Sequence, residues 1–491
     1  MKQAIADNTI TKEIIAQSFN YYDGAAFEGL GLGELGARGA LVRTESLVLT
    51  EEILQSAYGD GNATNSPYLD PNGTNWTDEY PQSFRDSLAD LAGYTYRDGK
   101  YYVTAQRSQY DFQSSGQGKG LVIAMRDALD RDTRITYDRY QILPVSVTDT
   151  LGLTTTASYD YRVLQPYLVT DPNGNQQQFG FTPLGLPKWA AVIDKNGEGD
   201  TVDTPSQRFE YDFLAFTRDR QPVSVRTIAR EHHVNESNIP ANERDNTIET
   251  IEYSDGFGRL LQTRSQSEDV RFGNETFGTG VAEEVKVTGR VKQPGDPVNV
   301  VVSGWQVYDN KRQVVKQYEP FYSTGWDYQP PQDSEKGQAV EMFYDPRGQV
   351  IRTVNPDESE QRVIYGIPQD INNPDSYEPT PWEAYTYDAN DNGGRTHPQS
   401  AIAYQNHWNT PASVEIDALG RTIKAVERNG SNSNTDWYIT RSTYDIRGSL
   451  LTVTDTLGRL SFRYSYDLAN NPLRIANVDA GIRRIVLDAL G

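Results

Sequence analysis

The chain has no cysteine, which excludes disulfides, thiolate metal sites and cysteine nucleophiles. Histidine is nearly as scarce: His232, His233, His397 and His407 are the four among 491 residues. Adjacent His232 and His233 point apart on a strand and lack the i, i+4 spacing by which a helix offers two imidazoles to one ion. No metal site is expected from them, and surface positions in insertions are their expected setting. Basic charge is in deficit, with 46 Lys and Arg against 68 Asp and Glu and a net charge of -22. Phosphate contacts need clustered cations and none cluster, so neither nucleic acid nor an anionic membrane surface is an expected partner. No run approaches the roughly 18 apolar residues of a spanning helix. Met1 to Asn20 lacks the charged-then-apolar layout of a secretory signal. Neither G-x-S-x-G nor G-x-x-x-x-G-K-S/T occurs, which removes two common nucleophile and phosphate signatures.

What the chain does have is tyrosine, 31 residues against 15 phenylalanines, and a polar character, with a mean hydropathy of -0.67. Much of its surface must stay wet, as in a thin wall with two solvated faces. The order within this composition is a repeat. Tyr137-Asp138 returns after 22 residues as Tyr159-Asp160, and Tyr444-Asp445 returns as Tyr466-Asp467. Asp149 maps onto Asp171 and Gly152 onto Gly174 with the same step, which slips to 23 residues from Gly174 to Gly197. A fixed period of about 20–50 residues marks stacked supersecondary units rather than one closed globule.

One unit has the pattern of a hairpin. Val145, Val147, Leu153, Thr155, Ala157 and Tyr159 share one parity and Ser146, Thr148 and Ser158 the other, the alternation of a half-buried strand pair. Asp149-Thr150-Leu151-Gly152 lies between the strands, and Asp171-Pro172-Asn173-Gly174 and Asp455-Thr456-Leu457-Gly458 repeat it. The aspartate can bond its own backbone two residues on, and the glycine supplies positive φ at the reversal. A second turn follows the Tyr-Asp pair, with glycine three residues after aspartate in Tyr344-Asp345-Pro346-Arg347-Gly348 and Tyr444-Asp445-Ile446-Arg447-Gly448. In Tyr466-Asp467-Leu468-Ala469-Asn470 asparagine, which tolerates the left-handed region, takes that place. Leu460, Phe462, Tyr464 and Tyr466 form an aromatic parity opposite Ser461, Arg463 and Ser465.

Five stretches follow along the chain. Residues 1–60 form an N-terminal leading segment, with Ile10 to Phe19 expected as a short helix and Ala40 to Leu49 as a strand; residues 59–78 have loop composition. Residues 61–227 carry hairpins. Residues 228–300 hold a polar insertion, 228–245, and the restart Tyr253-Ser254-Asp255-Gly256-Phe257-Gly258-Arg259. Residues 301–410 are hairpins with Pro- and Asn-rich insertions near 328–334 and 367–381, expected at hairpin tips. Residues 411–491 are regular repeats that stop mid-repeat at Asp488-Ala489-Leu490-Gly491, a copy of Asp417-Ala418-Leu419-Gly420. An edge left unpaired there is an aggregation hazard, so the sheet is expected to continue in a longer parent chain or a partner.

Candidate chemistry is sparse. Gly31-Leu32-Gly33-Glu34-Leu35-Gly36 matches G-x-G-x-x-G, but a turn precedes it and strand-like residues follow, where a pyrophosphate cradle needs a strand and then a helix. A glycine loop is the competing reading. With 68 carboxylates, no acid pair stands out as a glycosidase dyad. Trp305, Trp382, Trp408 and Trp437 could stack sugars on an exposed sheet, or pack between hairpins. No catalytic residue, cofactor site or metal site is assigned, and the chain is expected not to be an enzyme.

The Tyr-Asp repeats with Asp-x-x-Gly turns resemble the YD or Rhs repeats of bacterial toxins and teneurins. Tyr22-Asp23-Gly24-Ala25-Ala26-Phe27-Glu28-Gly29-Leu30, Gly39-Ala40-Leu41-Val42-Arg43-Thr44-Glu45 and the Tyr253 to Arg259 segment resemble the C-terminal half of the B component of insecticidal toxin complexes. The resemblance implies an all-β fold: a YD-repeat antiparallel β-hairpin strip curving into part of a hollow shell, with short helical or loop insertions. It further implies a secreted complex in which the B and C components together enclose the toxic C-terminal region of the C component, an Rhs-repeat protein. In that family a propeller, absent from this chain, docks on the pore-forming A component. The self-cleaving aspartate site belongs to the C component, and nothing in this sequence receives it. Enclosure is the leading expectation, a glycan-binding adhesion module the second, and a hydrolase within the 200–300 insertion the third.

Overall fold

A computed structural model describes residues 14–58, 92–104, 106–196, 198–240, 243–267, 270–276, 288–291, 295–330, 338–397 and 408–491. As the alternation and turn signals predict, the described chain is built of antiparallel β-hairpin strips, with helices only as short insertions. It divides into two compact units, one of residues 1–155, 412–428 and 432–491 and the other of 156–411 and 429–431.

In the first unit Ser18–Tyr22 pairs with Leu41–Thr50, which also pairs with Lys100–Val103 and touches Arg107–Tyr110. From there each strand pairs with its successor: Arg107–Tyr110, Val122–Arg126, Asp132–Tyr137 and Pro144–Thr148. A second ribbon runs through Ala412–Ile416, Thr422–Arg428, Trp437–Tyr444, Leu450–Thr454, Leu460–Tyr466, Pro472–Asn477 and Gly481–Arg484 in the same stepwise manner. The helix Glu51–Tyr58 joins these ribbons. Its Leu54, Ala57 and Tyr58 pack with Val48, Leu49, Ala92, Tyr101 and Leu473 into one dry cluster. Each fully buried Leu there contributes roughly 1.5–3 kcal/mol.

The second unit is likewise a meander, from Gln165–Thr170 and Gln176–Phe181 through Pro187–Ile193, Gln207–Asp212, Val223–Arg230, Thr247–Ser254 and Leu260–Gln266 to Asn299–Ser303 and Phe321–Thr324. A companion ribbon comprises Gln306–Tyr308, Val314–Tyr318, Ala339–Tyr344, Val350–Val354, Glu360–Pro368 and Tyr377–Tyr387. The meander is thin: every residue of its strand Val223–Arg230 is half-buried.

Two local expectations are corrected. Within Ile10 to Phe19, the described residues 14–17 are not helical and Ser18–Tyr22 is a strand, because its pairing with Leu41–Thr50 outweighs local propensity. The parity that includes Val147 and Leu153 is not withdrawn from water, since these residues are 38% and 49% exposed. A strip without a thick core leaves part of both faces wet. The stretch 367–381 lies at a hairpin tip as expected: Gly366 to Pro368 pair with Tyr377 to Pro379, and the chain reverses between them. The polar stretch 228–245 does sit at a reversal, between Val223–Arg230 and Thr247–Ser254. All of 59–78, together with Gly197 and His407, lies outside the described residues.

Candidate functional site

The tyrosine of the Tyr-Asp pair occupies a defined mechanical position. At Tyr22, Tyr110, Tyr137, Tyr308, Tyr344, Tyr444 and Tyr466 the strand register shifts by a residue just before the turn. Such a bulge re-aims the side chain it carries. Six strand-end tyrosines then donate their hydroxyls to a backbone carbonyl: Tyr110 to Leu41 (2.8 Å), Tyr137 to Val122 (3.1 Å), Tyr211 to Pro187 (2.9 Å), Tyr308 to Leu260 (3.2 Å), Tyr344 to Val314 (2.7 Å) and Tyr444 to Thr422 (2.9 Å). Each of these six acceptors is the first residue of its strand, just past an earlier turn, whereas Tyr253 and Tyr387 donate to Trp326 O and Ile371 O outside any strand. Each tyrosine therefore staples one hairpin end to another.

The aspartate builds the turn. In Asp149, Asp171, Asp345, Asp417, Asp445 and Asp455 one carboxylate oxygen accepts the N–H groups two and four residues on, at 2.8–3.1 Å. The N–H of Gly152, Gly174, Gly348, Gly448 and Gly458 returns to the carbonyl of the turn's aspartate. Those glycines have φ between +75° and +98°, and Asn470 takes the same conformation at +73°. The second carboxylate oxygen is held by arginine: Arg421 on Asp417, Arg447 on Asp445 and Arg459 on Asp455. Two of these arginines also reach the next turn along their edge, Arg421 Nη1 to Asp445 O at 2.7 Å and Arg447 Nη1 to Asp467 O at 2.9 Å. At Asp160 the turn differs, its carbonyl accepting from both Val163 and Leu164 and its carboxylate from Arg162 N–H.

Burial separates the paired aspartates electrostatically. The hydrogen bond from Arg421 holds the Asp417 carboxyl below its usual value. Burial pushes Asp445 upward, but the bonds from Ser449 and Arg447 outweigh it. Asp467 is 4% exposed, and there burial prevails over its bonds from Asn471 and raises the carboxyl. Asp138 is buried as well, accepting the N–H groups of Ile142 and Leu143. Phe462, Tyr464 and Tyr466 stack as a column with centroids 5.8 and 6.0 Å apart.

The remaining candidates take simpler places. The glycine loop is closed by Glu34 on Gly31 N–H, and Asp23 accepts the N–H groups of Arg38, Gly39 and Ala40; no helix follows it. Trp305 stacks on Tyr328, and Arg428 covers Trp437 at 4.4 Å, while Trp408 is half-buried and Trp382 is 49% exposed. His232 faces Glu236 at 3.6 Å, and His397 Nδ1 lies 3.1 Å from the Thr396 hydroxyl.

One cluster carried no sequence signal. His233 Nδ1 lies 2.8 Å from Asp200, whose carboxylate also accepts the Ser206 hydroxyl at 2.6 Å and Val234 N–H at 2.8 Å. Burial pushes the Asp200 carboxyl up, and these bonds overcome it and hold it low. Ser206 bonds the aspartate and not the imidazole, so the trio lacks the order of a nucleophile relay. It ties the 231–246 reversal to the loop before Gln207. Among the described residues no group of three or more acidic or histidine side chains is placed to hold a metal ion, and no helix is long and apolar enough to cross a membrane.

No protein-family model and no curated protein matches the chain. Solved structures do. TcdB2-TccC3 aligns over 99% of this chain with a TM-score of 0.72 and 21% identity. The complex TcdB2-TccC3-Cdc42 aligns over 98% (TM-score 0.72, 18% identity), and a Photorhabdus luminescens Tc holotoxin pore over 97% (TM-score 0.72, 18% identity). At these identities the likeness establishes the fold. The chain spans about a quarter of each matched chain, 23%, 25% and 24% respectively.

Proposed function

We propose that this chain is a stretch of hairpin wall in a secreted toxin complex, where it helps to enclose the toxic C-terminal region of a C-component partner, an Rhs-repeat protein, before translocation. The reading is carried by the fold match to TcdB2-TccC3 over nearly the whole chain. The site geometry agrees with it. Staples and turn ladders fix neighbouring hairpins through backbone bonds, so a wall can be extended without a thick core. The role is steric and non-enzymatic: the turn carboxylates are committed to backbone N–H groups and arginines. Contact with a pore-forming A component would run through a propeller outside this chain.

Adhesion through exposed tryptophans is less favoured, because Trp305 and Trp437 each have a ring partner. The test is co-expression with a C-type Rhs-repeat protein followed by limited proteolysis. A stable complex with the partner's C-terminal region resistant to protease is the expected result. A partner region digested as rapidly in the complex as alone overturns the proposal.

A further inference from the structure

The first unit uses one docking geometry twice. The Asp-x-x-Gly turn employs the N–H groups of its third and fourth residues and of the residue after it, which leaves the second residue's N–H directed outward. In Asp467 to Asn470 that second residue is Leu468, whose N–H donates to Val48 O at 2.7 Å. In Asp488 to Gly491 it is Ala489, which is 7% exposed and donates to Ala92 O at 2.7 Å. Both acceptors lie near strand ends, in Leu41–Thr50 and before Tyr94–Arg97.

The turn Asp445 to Gly448 is built alike and neighbours Asp467 to Asn470 on the same ribbon edge, bridged by Arg447. Its second residue is Ile446. That isoleucine is 68% exposed, and its N–H has no partner among the described residues. With Ile14, Ile15, Ile53 and Leu468 it lines a groove of about 690 Å³. One turn further along the edge, Leu419 is 70% exposed. Turn chemistry does not ask for isoleucine at the second position, whereas a third-position leucine recurs in these turns as the exposed Leu151 and Leu457.

We infer that the edge bearing Ile446 and Leu419 is a docking seam that receives a strand end from a second hairpin-strip chain, which offers a backbone carbonyl to Ile446 N–H and apolar side chains to the groove. The seam continues the contact that Leu468 already makes on Val48. A second copy of this chain fits poorly, because each copy carries a net charge of -22. The partner's identity as a C-type Rhs-repeat protein rests on the shell reading above.

The absence of cysteine makes the test direct. Ile446→Cys introduces a single thiol, and its maleimide labelling is compared in the free chain and in the complex with a co-expressed C-type Rhs-repeat protein. Labelling at least tenfold slower in the complex is expected, while Leu457→Cys, on the opposite ribbon edge, labels at one rate in both. Ile446→Asp combined with Leu419→Asp should reduce co-purification at least tenfold with an unchanged thermal midpoint. If the complex forms and the Ile446→Cys thiol labels freely, or both thiols are protected alike, the seam is wrong and the shell reading stands. If the unsubstituted chain forms no complex, the shell reading fails and the partner with it. Protection in the free chain accompanied by a dimer in sedimentation makes a second copy the occupant and overturns the inference.

Discussion

Replacing Tyr444 with phenylalanine removes a hydroxyl and leaves the ring, so it isolates the staple to Thr422 O from the packing around it. The bond is 2.9 Å long and partly buried, and Arg421 sits 5.0 Å over the same ring. A hydrogen bond of this kind contributes about 0.5–1.5 kcal/mol net. Tyr444→Phe should therefore cost about 1 kcal/mol, which increases local opening roughly fivefold. Tyr137 and Tyr344 make equivalent bonds and share no partner with Tyr444, so the triple variant should lose about 3 kcal/mol if independent sites add. Repeat arrays can open in sections. The assay is accordingly amide exchange read by mass spectrometry over residues 416–450, supported by urea unfolding. Tyr438→Phe is the control: its side chain is 45% exposed, and its hydroxyl has no hydrogen bond among the described residues. Equal exchange in Tyr444→Phe and Tyr438→Phe would refute the staple as a stabilising element.

Two further outcomes test the turns. Gly458 has φ +75° with open space where a Cβ would sit, so Gly458→Ala costs about 1–2 kcal/mol through backbone conformation alone; Asn470→Gly, at φ +73°, should stay within a few tenths in urea unfolding. The Asp417 and Asp445 carboxyls are held below the ordinary value of about 3.9. Their stabilisation is present above pH ~4 and is lost as pH falls through the lower folded values. Calorimetry should show a flat melting temperature between about pH 7 and 5 and a fall below about 4, less steep in the Asp417→Asn, Asp445→Asn double variant.

The period, the Asp-x-x-Gly turns and the strand alternation made the all-β hairpin architecture legible, because each is a local demand of backbone geometry. Asp149, Asp345 and Asp455 bond the N–H groups two and four residues on, which lie within the same short segment. The register shift at Tyr137 or Tyr444 was not legible in the same way, since a bulge is defined by the opposing strand. Nor was the helix Glu51–Tyr58 foreseen. Its eight residues are held by the cluster with Leu473, more than 400 positions away, and an isolated helix that short is marginal in water.

The same distinction governs the site residues. Sequence alone determined that aspartate and glycine would shape the turns, because those residues act on their immediate neighbours. Only the tertiary structure decided that the tyrosines reach the first carbonyl of another strand, that His233 meets Asp200, and that Asp467 is buried while Asp445 keeps its low carboxyl. Each of these depends on which segments pack together, and pairing between distant segments sets burial and bond partners that no local pattern encodes.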